Sequence, residues 1–135
     1  MYLILSKMKK NILILIIFTS IFLNCKEQNK NELIGKWTCT DVLDKMEIPA
    51  LGLEYLENTI VNKWTIELQE DGTFKTEIID TDSAKGTWEY NPTTKLIKVK
   101  LIGESDLKFE VLKFDSNKID LKSELGKFIF EKTIN

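Results

Sequence analysis

The chain has 135 residues, 19 of them basic and 21 acidic, with a formal charge of −2 and no histidine. All 19 basic residues are lysine, so arginine clamps for carboxylate or phosphate are missing, and the lack of histidine excludes Ser-His-Asp, Cys-His and HExxH chemistry. The length allows one domain, and a non-enzymatic binding or structural role leads over catalysis.

Met8 to Cys25 reads MKKNILILIIFTSIFLNC, two lysines followed by an apolar run from Ile12 to Leu23 broken only by Thr19 and Ser20. A membrane-spanning helix takes about 20 apolar residues, so this shorter run fits the core of a secretory signal. The basic stretch lies immediately behind Met8, which leaves both Met1 and Met8 open as the start of translation. With Cys25 directly behind the apolar run, the layout resembles the lipobox of bacterial lipoproteins, although Phe22, Leu23 and Asn24 stand where the commonest pattern has leucine followed by small residues. The resemblance implies a signal peptide over residues 1–24, acyl chains such as palmitate on Cys25, and a lipid-anchored place in the bacterial cell envelope. Lys26-Glu27 is similar to a surface-export tag of some Gram-negative groups, which implies the outer membrane and an outward face. Without residues 1–24, 16 lysines face 21 acids, a charge of −5. No nucleic-acid partner is expected of such a chain, and its membrane contact is expected through lipid alone.

Residues 25–32 hold the lipidated cysteine and a polar tether, and residues 33–135 the folded domain. Trp37 to Val42 reads as the first strand. Met46 to Asn58, MEIPALGLEYLEN, interrupts the strand pattern and carries Ile48, Leu51, Tyr55 and Leu56 at a spacing that predicts one helical face after Pro49. The segment is either a plug at one end of the fold or a lid over a ligand mouth. Lys63 to Gln69 alternates, with Trp64, Ile66 and Leu68 on one face. Glu70-Asp71-Gly72 predicts a hairpin turn, after which Phe74, Thr76 and Ile78 continue the inward face. A turn is predicted over Asp80 to Lys85, then a strand with Trp88 and Tyr90 paired on one side. Asn91-Pro92-Thr93-Thr94 turns the chain into Ile97, Val99 and Leu101. Leu107, Phe109 and Val111 alternate, and the adjacent Val111 and Leu112 predict a bulge before Phe114. Strands around Ile119 to Leu121 and Phe128 to Phe130 finish the chain. The expectation is all-β, an eight-stranded antiparallel up-and-down barrel with one short helix or lid between the first two strands.

Gly35-Lys36-Trp37 at the entrance to the first strand, Glu70 to Phe74, and Lys85-Gly86-Thr87-Trp88-Glu89-Tyr90 together resemble the small lipocalin-like domains of bacterial lipoproteins. The resemblance covers Leu33 to about Thr133. It implies a barrel whose interior holds an apolar small molecule, with Gly35 and Trp37 as the structural motif at the closed end. Lipocalins stack an arginine on that tryptophan. This chain has none, and Lys127 or Lys132 is the expected substitute through a weaker cation–π contact.

The ligand-binding residues expected on this basis are Ile66, Trp88, Tyr90 and Phe109 as walls and Leu51, Leu53 and Tyr55 as the lid. The alternative is a solid barrel that acts through its outer face and loops as an interaction or inhibitor module. No cofactor or metal is expected. Glu77, Asp80 and Asp82 lack the glycine and closing glutamate of a calcium loop and read as a solvated turn. Glu54 and Glu57 read as a charged helix face. Cys39, on the face of Trp37, reads as an inert buried thiol, since no base stands by to activate it.

Overall fold

The computed structural model describes residues 29–134. The expected signal segment and Cys25 lie outside the described residues. Among the described residues, eight strands close in sequence order into one antiparallel barrel: β1 Gly35–Val42, β2 Trp64–Leu68, β3 Thr73–Ile78, β4 Asp82–Asn91, β5 Leu96–Leu101, β6 Leu107–Asp115, β7 Lys118–Ser123 and β8 Gly126–Lys132. β8 pairs back onto β1, Cys39 opposite Phe130, which removes the sheet edges that would otherwise expose unpaired backbone. A short helix α1, Lys30–Leu33, leads into β1, and helix α2, Ala50–Thr59, stands between β1 and β2. Lys30, Asn31 and Glu32, expected in the tether, form the exposed side of α1, while Leu33 is buried.

The period-2 pattern sets the inner wall. Trp64, Ile66 and Leu68 of β2 are buried, as are Ile97 and Val99 of β5 and Ile119 and Leu121 of β7. No polar or charged residue among the described residues is fully buried, and the core is built of apolar side chains. Turn chemistry follows expectation at two places. The Asp71 carboxylate accepts from the Thr73 N–H at 2.9 Å, and the Asn91 side chain accepts from the Thr93 N–H at 2.9 Å. The bulge expected near Leu112 is present as a register shift between Val111 and Lys113.

Two expectations change. The turn after β3 is much shorter than Asp80 to Lys85, because Asp80 takes the left-handed conformation (φ 65°) and reverses the chain at once. Asp82 already faces Ile78 across the β3–β4 ladder, and Ala84 faces Thr76. The apolar face of α2 is also rotated. Leu53 and Leu56 pack against the core with Ile48, and Ile60 just beyond the helix is buried, whereas Leu51 is 83% and Tyr55 65% exposed. Helical phase explains this: once the helix starts at Ala50, residues 53, 56 and 60 share one stripe, and 51 and 55 lie on another.

α2 is a weak helix by itself. It has ten residues, no side-chain cap at Pro49, and Gly52 in its interior. Lys45 fastens its approach, reaching Asp41 of β1 at 2.8 Å and Glu57 of α2 at 3.4 Å. Asp44 reaches Lys127 of β8 at 2.8 Å. Solvent screens exposed pairs of this kind, so they orient the segment more than they stabilise it.

Two glycines predict opposite responses to alanine. A Cβ at Gly86 of β4 would run into the Lys100 carbonyl of β5, where the neighbour is backbone and cannot step aside. At Gly52 a Cβ meets only Ile48 Cγ2, at 3.6 Å. Gly86→Ala is expected to cost about 1–3 kcal/mol, and Gly52→Ala to add about 0.5–1 kcal/mol. Urea melts of the two variants should shift in opposite directions, and a shared direction contradicts this packing.

Candidate functional site

The barrel has two unlike ends. At the end where β1 begins, Leu33 is tucked under the strands and its carbonyl accepts the Trp37 indole N–H at 2.9 Å. Lys132 of β8 lays its ammonium over the Trp37 ring, 5.4 Å from the centroid, and Phe114 meets the same ring edge-on at 6.4 Å. This is the lysine contact expected in place of an arginine. Gly35 lies directly under the lysine stem: a Cβ there would come 2.6 Å from Lys132 Cε and push the stem from its place over the ring. Its φ of +141° also lies where glycine is favoured. Trp88 belongs to this closed end as well. Its indole donates to the Gln69 carbonyl at 2.9 Å, and Lys30 of α1 sits 4.7 Å above its ring.

Between the ends the lumen is occupied by rings. Trp64 of β2 meets Phe128 and Phe130 of β8 edge-on at 5.4 and 5.0 Å, and Phe109 of β6 at 6.1 Å. Phe74 of β3 adds a contact to Phe109 at 6.4 Å. β2 and β6 are four strands apart in a closed ring of eight, so side chains of opposite walls touch across the full diameter. The polar edge of Trp64 is satisfied without water, its N–H donating to the Thr76 hydroxyl at 2.9 Å, which in turn donates to the Thr65 carbonyl at 3.0 Å.

This packing relocates the residues expected to line a ligand cavity. Ile66, Trp88 and Phe109 are buried in the core, and Tyr90 is half-buried toward the closed end. Of the expected lid, Leu53 packs down on the core, while Leu51 and Tyr55 project into solvent. α2 therefore acts as a plug on one side of the open end.

Beside it lies an apolar mouth of about 180 Å³. Trp64 and Thr76 form its floor, Ile78, Ala84, Leu101 and Leu107 its walls, and Leu125 overhangs it from the β7–β8 turn. Glu77, Asp82, Ser83 and Glu104 make the rim. A wider depression of about 360 Å³ lies elsewhere, on the outer wall, but Lys36, Glu67, Lys75, Glu77 and Lys85 line it and make it a charged surface. The mouth residues outside the expected set had a readable signal. Ile78-Ile79 and Leu101-Ile102 are apolar doublets at strand ends, where alternation calls for a polar residue, and in each the first points inward while the second stands exposed at a loop tip.

No chemical constellation stands beside the mouth. Among the described residues no cluster of three His, Cys, Asp or Glu is placed to hold a metal ion. Asp80 serves the turn, and the Asp82 carboxylate accepts from the Ser83 N–H at 3.0 Å. Glu57 is paired with Lys45. That lysine also holds the Asp41 carboxyl below the usual carboxylate range, mainly through its hydrogen bond. Burial pushes the Cys39 thiol up to about 12. Its hydrogen bond to the Asp41 carbonyl at 3.7 Å opposes this in part, and the Asp41 charge adds to it.

No protein-family model matches the sequence, and no curated protein matches it. The fold is similar to the crystal structure of a lipocalin-like protein from Bacteroides uniformis ATCC 8492, with 17% sequence identity and a TM-score of 0.57 over 76% of this chain and 99% of that one. It is similar also to an uncharacterized protein from Bacteroides eggerthii DSM 20697, at 14% identity and a TM-score of 0.54, over 74% of this chain and 98% of that one. The barrel is lipocalin-like in fold.

The Cys39 environment yields a pH test. The thiol ionises near 9 when exposed and near 12 when folded, so its contribution to stability is complete below pH 9 and is lost as pH rises toward 12. Chemical melts between pH 9 and 11 should show wild type losing stability faster than Cys39→Val. Parallel slopes would place Cys39 in solvent.

Proposed function

We propose that the chain is a non-enzymatic binding module of the bacterial envelope, held by lipid on Cys25, that grips a protein partner with the open end of a solid lipocalin-like barrel. The observation that carries this reading is the contact of Trp64 with Phe109, Phe128 and Phe130, rings of opposite walls that meet across the middle of the lumen. Ligand pockets for drug-sized molecules run about 300–1,000 Å³, and a cavity of about 150 Å³ holds a benzene ring. A mouth of about 180 Å³ has room for one ring or short branched chain.

The surroundings of the mouth favour a macromolecule as the source of that group. Met46, Leu51, Tyr55, Ile79, Ile102 and Leu125, six large apolar side chains, are exposed on the connections at this end. A seated anchor surrounded by an apolar collar is how protein interfaces concentrate their binding energy. A free apolar molecule of ring size is the second reading, favoured by the volume of the mouth itself.

Photo-crosslinking in living cells tests the proposal. Benzoylphenylalanine placed at Ile102 or Leu125 is expected to give a discrete crosslinked protein, and the same probe at Leu112 on the outer wall none. Equal crosslinking from the wall, or no protein crosslink from either rim position, contradicts it. In the same cells palmitate should label wild type and not Cys25→Ala; equal labelling would refute the anchor.

A further inference from the structure

The loop tips around the mouth carry acids and no lysine, with Lys122 and Lys127 flanking the β7–β8 turn on the strands. The β3–β4 turn holds Asp80, the β5–β6 loop Glu104 and Asp106, and the β7–β8 turn Glu124, and Asp82 opens β4 beside them. Residues 79–81, 102–106 and 124–125 contain no lysine, and no lysine lines the mouth. Asp82 sits on the inward register of β4, opposite Ile78, so its carboxylate borders the apolar walls directly. Among the described residues none of these five carboxylates has a lysine within salt-bridge distance, whereas Lys45 and Lys127 at the same end pair with Asp41, Glu57 and Asp44. Each loop also pairs its acid with an exposed apolar tip: Ile79 with Asp80, Ile102 with Glu104, Leu125 with Glu124.

Resting on the reading that the rim docks a protein, we infer that the partner presents a basic and apolar segment, with one leucine-like or aromatic anchor entering the Trp64-floored mouth between flanking lysine or arginine residues. The anchor fills the apolar space, and the flanking cations meet Asp82 and Glu104 over it. Charge complementarity of this kind steers encounter and rejects partners of the wrong sign. A second copy docked mouth to mouth would set Asp80, Asp82, Glu104 and Glu124 against themselves, and an anionic membrane surface would be repelled in the same way.

The test uses the full chain in nanodiscs of zwitterionic lipid and three labelled hexapeptides followed by fluorescence anisotropy: acetyl-KKLFKK-amide, acetyl-EELFEE-amide and acetyl-KKGSKK-amide. The first is expected to bind, to weaken about tenfold or more in the Asp82→Asn, Glu104→Gln, Glu124→Gln triple variant, and to weaken as salt rises from about 50 to about 500 mM. The other two are expected to bind at least tenfold more weakly. Thermal melts of the triple variant matching wild type keep the comparison one of charge. If the acidic peptide binds as tightly as the basic one and Ile102→Ser abolishes both, the inferred charge preference falls while rim docking stands. If no peptide responds to Ile102→Ser or Leu125→Ser, the inference and the docking reading fall together.

Discussion

The contact of Trp64 with the rings of the far wall decides what kind of barrel this is. Eight strands enclose a space at the boundary between a packed core and a small-ligand cavity, and side-chain size determines which one results. Here a tryptophan on β2 reaches Phe109 on β6 and Phe128 and Phe130 on β8, so four large rings occupy the centre. The two edge-on pairs, Trp64 with Phe128 and with Phe130, gain from their quadrupoles as well as from burial, about 0.5–1.5 kcal/mol per pair beyond area. The indole N–H is turned to Thr76 and leaves no polar group asking for water inside. The apolar mouth accordingly lies at the end of the barrel.

The two ends are then built for different tasks. At the closed end Leu33, Trp37, Gly35 and Lys132 form one interlocked unit: the glycine admits the lysine stem, the lysine covers the indole, and the indole N–H ties back to the turn of α1. An arginine would add planar stacking; a lysine retains the cation and its apolar stem. At the open end the plug of α2 covers one side, and the remaining side keeps apolar walls, acidic loops and exposed apolar tips. A face with those properties gains nothing in stability from its exposed tips, which is why they point to a role in recognition.

Much of this was legible in the sequence. The strict alternation of Trp64, Ile66 and Leu68, or of Ile97, Val99 and Leu101, predicted inward faces because a strand repeats every two residues. Asp71-Gly72 and Asn91-Pro92 announced their turns, and the pair Val111-Leu112 announced the bulge. The lysine over Trp37 followed from a motif that lacked its usual arginine. What alternation could not supply was depth. It assigns Phe109 and Trp64 to the same interior but does not say that they touch, because that depends on the diameter and stagger of the closed sheet. The helix failed by phase: with its start at Ala50, Leu53 and Leu56 turn inward and Leu51 and Tyr55 outward. The mouth was hidden in the doublets Ile78-Ile79 and Leu101-Ile102, whose second residues do not belong to the core.

The central claim is that the lumen is solid, and native mass spectrometry of the protein extracted from envelopes, combined with a titration of the fluorescent fatty acid cis-parinaric acid, addresses it most directly. A filled barrel predicts the mass of the polypeptide with its covalent groups alone and no enhancement of the probe. A bound fatty acid at one per chain, with enhancement that saturates at the same ratio, would mean that Trp64 gives way to a ligand and would contradict the account.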